Sequence, residues 1–167
     1  MLILRLVHIL TGVFWAGTIF FMAFYLEPSA RAAGPDAAKV MGGIQKRGLM
    51  TVLPSIALLT ILSGIDLYRR ASVGFEPAWI RSSIGITYGI GAVASIVALS
   101  IGFFIMRSAT MAAGRLAANL PTTSDDAEQQ RMQAQIQHLR TRSRTALRMV
   151  AALLGVAVIT MAVGRYM

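Results

Sequence analysis

Four long stretches almost free of formal charge divide this chain: residues 6–26, 48–68, 82–106 and 149–164. Arg5, Arg47, Arg69, Arg81, Arg107, Arg148 and Arg165 bound them, and Asp66 is the one formal charge inside. An α-helix rises about 1.5 Å per residue, so about 20 apolar residues cross the roughly 30 Å hydrocarbon core of a bilayer. Three stretches meet that length. The fourth meets it when Arg148 and Arg165 lay their methylene stems in the hydrocarbon and lift their guanidinium groups to the interfaces. The predicted fold is therefore all-α, a polytopic membrane protein built as a four-transmembrane-helix bundle, with residues 1–167 forming a single membrane domain.

Composition agrees: 14% of the residues are charged and 56% hydrophobic, against about 25% charged in soluble domains. A net charge of +9 would direct a soluble chain toward nucleic acid. Here the basic residues lie between apolar runs, so the expected partner is the lipid bilayer and no nucleic acid. The absence of cysteine removes disulfides, thiolate metal sites and cysteine nucleophiles.

The first stretch has a basic residue before it and Ala30-Arg31-Ala32 after it, as a cleaved signal peptide would. At 21 uncharged residues it is longer than a signal core of about 7–15 and is expected to be a retained helix. Of the 16 basic residues, eleven fall in the first and third connections and five on the opposite side. Basic residues are held on the cytoplasmic side, which places both termini outside, in a bacterial inner membrane. The third connection, about 107–148, is expected to project into the cytoplasm as a helical hairpin. Its first arm runs to about Asn119, Pro121 marks the turn, and the second arm begins near Asp125. Beyond Thr123 and Ser124, acidic residues occupy a first turn, followed by Met132, Ile136, Leu139 and Ser143 on one stripe. In the first connection Pro28, Gly34 and Pro35 are expected to break the chain before a short surface helix from about Asp36 to Lys46.

His8, Gly12 and Trp15 share a face of the first helix. Imidazole ligates haem iron or relays protons, a glycine one turn away leaves room for a flat ring, and tryptophan packs against such a ring. An interfacial histidine bonded to a neighbouring helix is the plainer account, and residue types alone favour it. His8, Asp66 and Arg165 should lie at the same membrane face and are expected to form a polar cluster, although Asp66 and Arg165 can equally sit among headgroups. Arg140, Arg144 and Arg148 recur every four residues beside the last membrane entry, a stripe suited to anionic lipid headgroups. The Gly85 to Gly89 spacing is expected to let another helix approach closely, within the bundle or in a homo-oligomer. Pro54 is expected to bend the second membrane helix. The ten methionines are scattered and serve as packing residues, so no metal site is predicted.

At HILTGVFWAGTIFFMAFYLEP, residues 8–28, the chain resembles the HemJ-type protoporphyrinogen oxidases and the related copper-resistance D-type membrane proteins. The matching residues are His8, Trp15, Ala16, Gly17, Phe24, Tyr25, Leu26 and Pro28. The segment from Lys39 to Gly64 is similar to the second helix of that group. The resemblance implies a helical bundle, ligation of haem b by His8 and, in the HemJ branch, oxidation of a porphyrinogen. The arginine and second histidine that the group places after the first helix are absent, and Arg81 stands where a lysine is expected. A second axial ligand would then be a methionine, a residue of another protomer, or none. The expected function is a haem-binding membrane protein with a redox role. The alternatives are a non-enzymatic accessory subunit of a larger membrane complex, or a small transporter using the His8, Asp66 and Arg165 group as a polar path.

Overall fold

The computed structural model describes residues 1–122 and 125–167, so the expectation attached to Thr123 and Ser124 lies outside the described residues. Helix α1 spans Leu2–Ala32, α2 Ala37–Lys46, α3 Leu49–Ala71, α4 Pro77–Ile80, α5 Ser83–Asn119 and α6 Asp126–Val163, with a closing 3-10 turn over Gly164–Tyr166. Helices α1, α3, α5 and α6 are each long and apolar enough to cross a bilayer. No strand occurs among the described residues. The all-α, four-span architecture is as the charge pattern predicts.

Local chemistry accounts for the boundaries. Ser82 caps α5, its side-chain oxygen accepting the Gly85 amide, and Asp125 caps α6 by accepting from Ala127. Gly48 takes a left-handed conformation (φ 80°) to start α3 directly after α2. Pro28 corrects the sequence expectation, because α1 continues through it to Ala32. A π-helical turn over Met22–Leu26 immediately precedes the proline. Its wider turn relieves the clash that a proline ring makes with the preceding carbonyls of an ordinary helix.

The four long helices close a ring in the order α1, α3, α5, α6, with the α5–α6 and α1–α3 pairs packed most extensively. The core gathers Trp15, Ile19 and Met22 of α1, Leu53 of α3, Ala98 and Met106 of α5, and Leu147, Val150 and Leu154 of α6. Outward faces stay apolar and uncovered, as at Leu10, Val13, Leu62, Val93 and Ile159. Bare hydrocarbon on all four helices suits a lipid solvent and would be an aggregation surface in water.

The hairpin also forms. The α5 arm ends at Asn119, a 3-10 turn covers Leu120–Thr122, and α6 returns without interruption. Ile136 is buried between the arms, and the Ser143 and Thr110 hydroxyls lie 2.8 Å apart. The fourth crossing is thus part of one 38-residue helix, and its short apolar length reflects charge placement rather than a helix end.

Within the bundle, the close α5–α6 contact falls at Gly91 and not at Gly85 or Gly89. A Cβ at Gly91 would stand 2.5 Å from Thr160 Oγ1 and 3.0 Å from Met161 Cε, so α5 and α6 approach there only because the position is glycine. Gly85 is instead pressed against the carbonyl oxygens of Trp79 and Ile80 in the preceding turn. Gly89 faces only the Tyr68 hydroxyl, at 3.8 Å.

Candidate functional site

His8 projects from α1 onto one face of α3. Its Nδ1 lies 2.8 Å from the Thr60 carbonyl oxygen and 3.3 Å from Ser63 Oγ. A carbonyl oxygen only accepts, and the single Ser63 hydroxyl proton is directed to the Leu59 and Thr60 carbonyls at 2.7 and 2.9 Å. Nδ1 must therefore be the donor, which puts the proton of the neutral ring on Nδ1. Nε2 is left with its lone pair and no hydrogen-bond partner among the described residues. A carbonyl holding one ring nitrogen while the other is free to bind is the usual arrangement around a metal-ligating histidine.

The sequence produces this contact through three small residues. Thr60, Ser63 and Gly64 share a stripe of α3 at i, i+3 and i+4. Thr60 and Ser63 are buried. Gly64 makes the approach possible, since a Cβ there would lie 2.8 Å from His8 Cε1. These α3 residues carry the site's hydrogen bonds and were not anticipated. Their signal was present as small and polar residues at helical spacing inside an apolar span.

Gly12 and Trp15 follow His8 along the same face, yet do different work. A Cβ on Gly12 would meet Thr60 Cγ2 at 3.5 Å, so the space the glycine leaves is bordered by α3. Trp15 is 4% exposed and belongs to the apolar core. The three residues line one helix seam.

The His8, Asp66 and Arg165 cluster does not assemble: no hydrogen bond or ion pair joins any two of them. Asp66 stands two residues beyond Gly64, about 200° further round the helix. It is held by Arg69 at 3.0 Å and Arg70 at 2.9 Å. Arg165 lies over the Tyr166 ring, 4.7 Å from its centroid. Tyr68 donates to the Gly85 carbonyl at 3.1 Å and meets Trp79 edge-on, joining the end of α3 to the start of α5.

The arginine stripe also divides. Arg140 and Arg148 are exposed, whereas Arg144 turns inward to pair with Glu27 of α1. Glu27 thereby anchors the hairpin to the first helix. Between the hairpin arms lies a cleft of about 380 Å³ lined by Ala117, Leu120, Gln133, Ile136, Gln137 and Arg140. His138 is exposed on the hairpin. No group of three or more metal-binding side chains occurs among the described residues.

Comparisons with family models, with curated proteins and with solved structures find no match to this chain.

Proposed function

We propose that this chain is an integral membrane haem protein of the HemJ and copper-resistance D type, with a redox role, in which His8 Nε2 ligates haem b. The supporting observation is the hydrogen bonding of the imidazole: Thr60 and Ser63 hold Nδ1, and Nε2 has no hydrogen-bond partner among the described residues. Haem would supply one-electron chemistry. The chain's own part is to orient the imidazole through the Thr60 and Ser63 contacts to Nδ1. A second ligand to the group would be a methionine, a residue of a second protomer, or none. The excess of basic residues in the first and third connections supports an orientation with both termini outside a bacterial inner membrane, in which Arg140 and Arg148 would meet anionic headgroups.

Purification in mild detergent after haem-replete expression tests this. The expected result is a haem absorption band that His8→Ala abolishes with the helical circular dichroism retained, and that Ser63→Ala shifts without loss. Haem-free, folded protein from the same cells overturns the proposal.

A second reading, an accessory subunit of a larger membrane complex, is favoured by the hairpin cleft. The test is co-purification of a stoichiometric membrane subunit. Ala134 also lines the cleft, and Ala134→Arg, which fills it without touching the bundle, should release that subunit. Retention of the same subunit by the variant argues against the cleft as the contact.

A further inference from the structure

Helix α2 contributes no residue to the apolar core. It packs against the end of α1 before it and the start of α3 after it, so it lies where two membrane crossings reach the lipid surface. Ala37, Val40, Met41 and Ile44 recur at i, i+3, i+4 and i+7 and share one face of the helix. Lys39, Gly43 and Lys46 share the opposite face. Val40 is 61% exposed, and Met41 and Ile44 are only half-buried, so the apolar face is covered in part and otherwise open. Lys39, Lys46 and Arg47 are exposed and form no ion pair among the described residues.

The sequence makes this helix weak on its own. It has 10 residues, fewer than the roughly 12–15 at which an isolated helix becomes even marginal in water. Gly42 and Gly43 stand in its middle, and each interior glycine lowers a helix population about fivefold relative to alanine. Neither serves a close contact or a left-handed turn, since a Cβ at either position would meet nothing within 4 Å and neither has a positive φ. Asp36 precedes the helix without a side-chain capping bond. A short, uncapped segment with two unforced glycines keeps its helix when a surface covers the Val40 side. The flanking crossings bring the lipid interface to it.

We propose that α2 is an interfacial helix ordered by an anionic lipid surface. Val40, Met41 and Ile44 sink to the boundary between headgroups and acyl chains, which leaves the opposite face among the headgroups. There Lys39 and Lys46, with Arg47 just beyond the helix, meet lipid phosphate, their long stems carrying the charges to its level. Gly42 and Gly43 hold the helix near balance, so the charge of the leaflet decides how fully it forms. This surface is separate from the Arg140 and Arg148 stripe on α6, and it is independent of haem at His8.

Hydrogen exchange on the unaltered full chain gives the first test, in vesicles of phosphatidylcholine alone or of phosphatidylcholine with phosphatidylglycerol. One basic residue beside an anionic surface favours the bound state about fivefold, so the two lysines should slow amide exchange over residues 40–46 about twentyfold when phosphatidylglycerol is present. Lys39→Gln combined with Lys46→Gln should remove that difference. Gly42→Ala combined with Gly43→Ala should slow exchange in phosphatidylcholine alone, because the helix then needs less help from lipid charge. The absence of native cysteine permits a second test with single labels. With phosphatidylglycerol present, a fluorophore on Val40→Cys should be shielded from acrylamide, whereas one on Gly43→Cys should stay accessible. Equal exchange in the two kinds of vesicle, a difference that survives loss of both lysines, or equal quenching at the two labelled positions overturns the proposal.

Discussion

The two halves of the bundle are joined in different ways. Around Trp15 the helices interlock through large apolar side chains, with Ile19 and Val150 each 1% exposed. The local glycines, Gly17, Gly102 and Gly155, have nothing within 4 Å of a would-be Cβ. Around His8 the pattern reverses. None of the first 13 residues of α1 is buried, and contact depends on missing side chains: Gly64 under the imidazole, Gly91 under Thr160, and Gly164 under Tyr88 at 2.7 Å. Side-chain bulk holds one half together, and its absence holds the other. The half joined by glycines keeps a polar imidazole at its edge, where a ligand can approach without displacing a packed core.

Crossed substitutions test this contrast. Gly91→Leu should have the largest effect, about 3 kcal/mol less stable in reversible unfolding from mixed micelles, because α5 and α6 must separate. Gly155→Leu should stay within about 0.5 kcal/mol. Ile19→Ala should cost about 2 kcal/mol, at the low end for a core truncation because the unfolded helix keeps this side chain in hydrocarbon. Leu10→Ala, on the lipid face of the His8 half, should cost less than about 0.5 kcal/mol by the same assay. Equal losses at residues 19 and 10 would remove the distinction. Glu27→Gln should cost about 1 kcal/mol and increase protease cutting of the hairpin, since the pair with Arg144 is partly exposed. The smallest effect is a gain. Val73 has φ 50° on the turn after α3, and Val73→Gly should raise stability by about 0.5 kcal/mol, measured as a higher melting temperature.

Bilayer thickness makes charge position informative, which is why the four crossings were evident from the arginines and the hairpin from Met132, Ile136, Leu139 and Ser143. Partner choice was harder to read. Asp66 was assigned to distant groups although Arg69 and Arg70 stand at i+3 and i+4, the spacing at which helix neighbours pair first. Gly85 and Gly89 have the familiar close-packing interval, but α6 meets α5 at Gly91 because rotation about the helix axis depends on tertiary packing. The route through Pro28 depends on a π turn, whose hydrogen-bond register leaves no mark in residue type. His8 was identified at once, while the Thr60, Ser63 and Gly64 face that orients it became clear only when α3 was placed beside α1.

Helix α6 passes from the hairpin tip to the far membrane face without a proline, over 38 residues or about 57 Å. Such a rod has no hinge at which a twist could dissipate. A torque applied to the basic arm of the hairpin would be felt at Thr160, beneath Gly91, at the other end of the bundle.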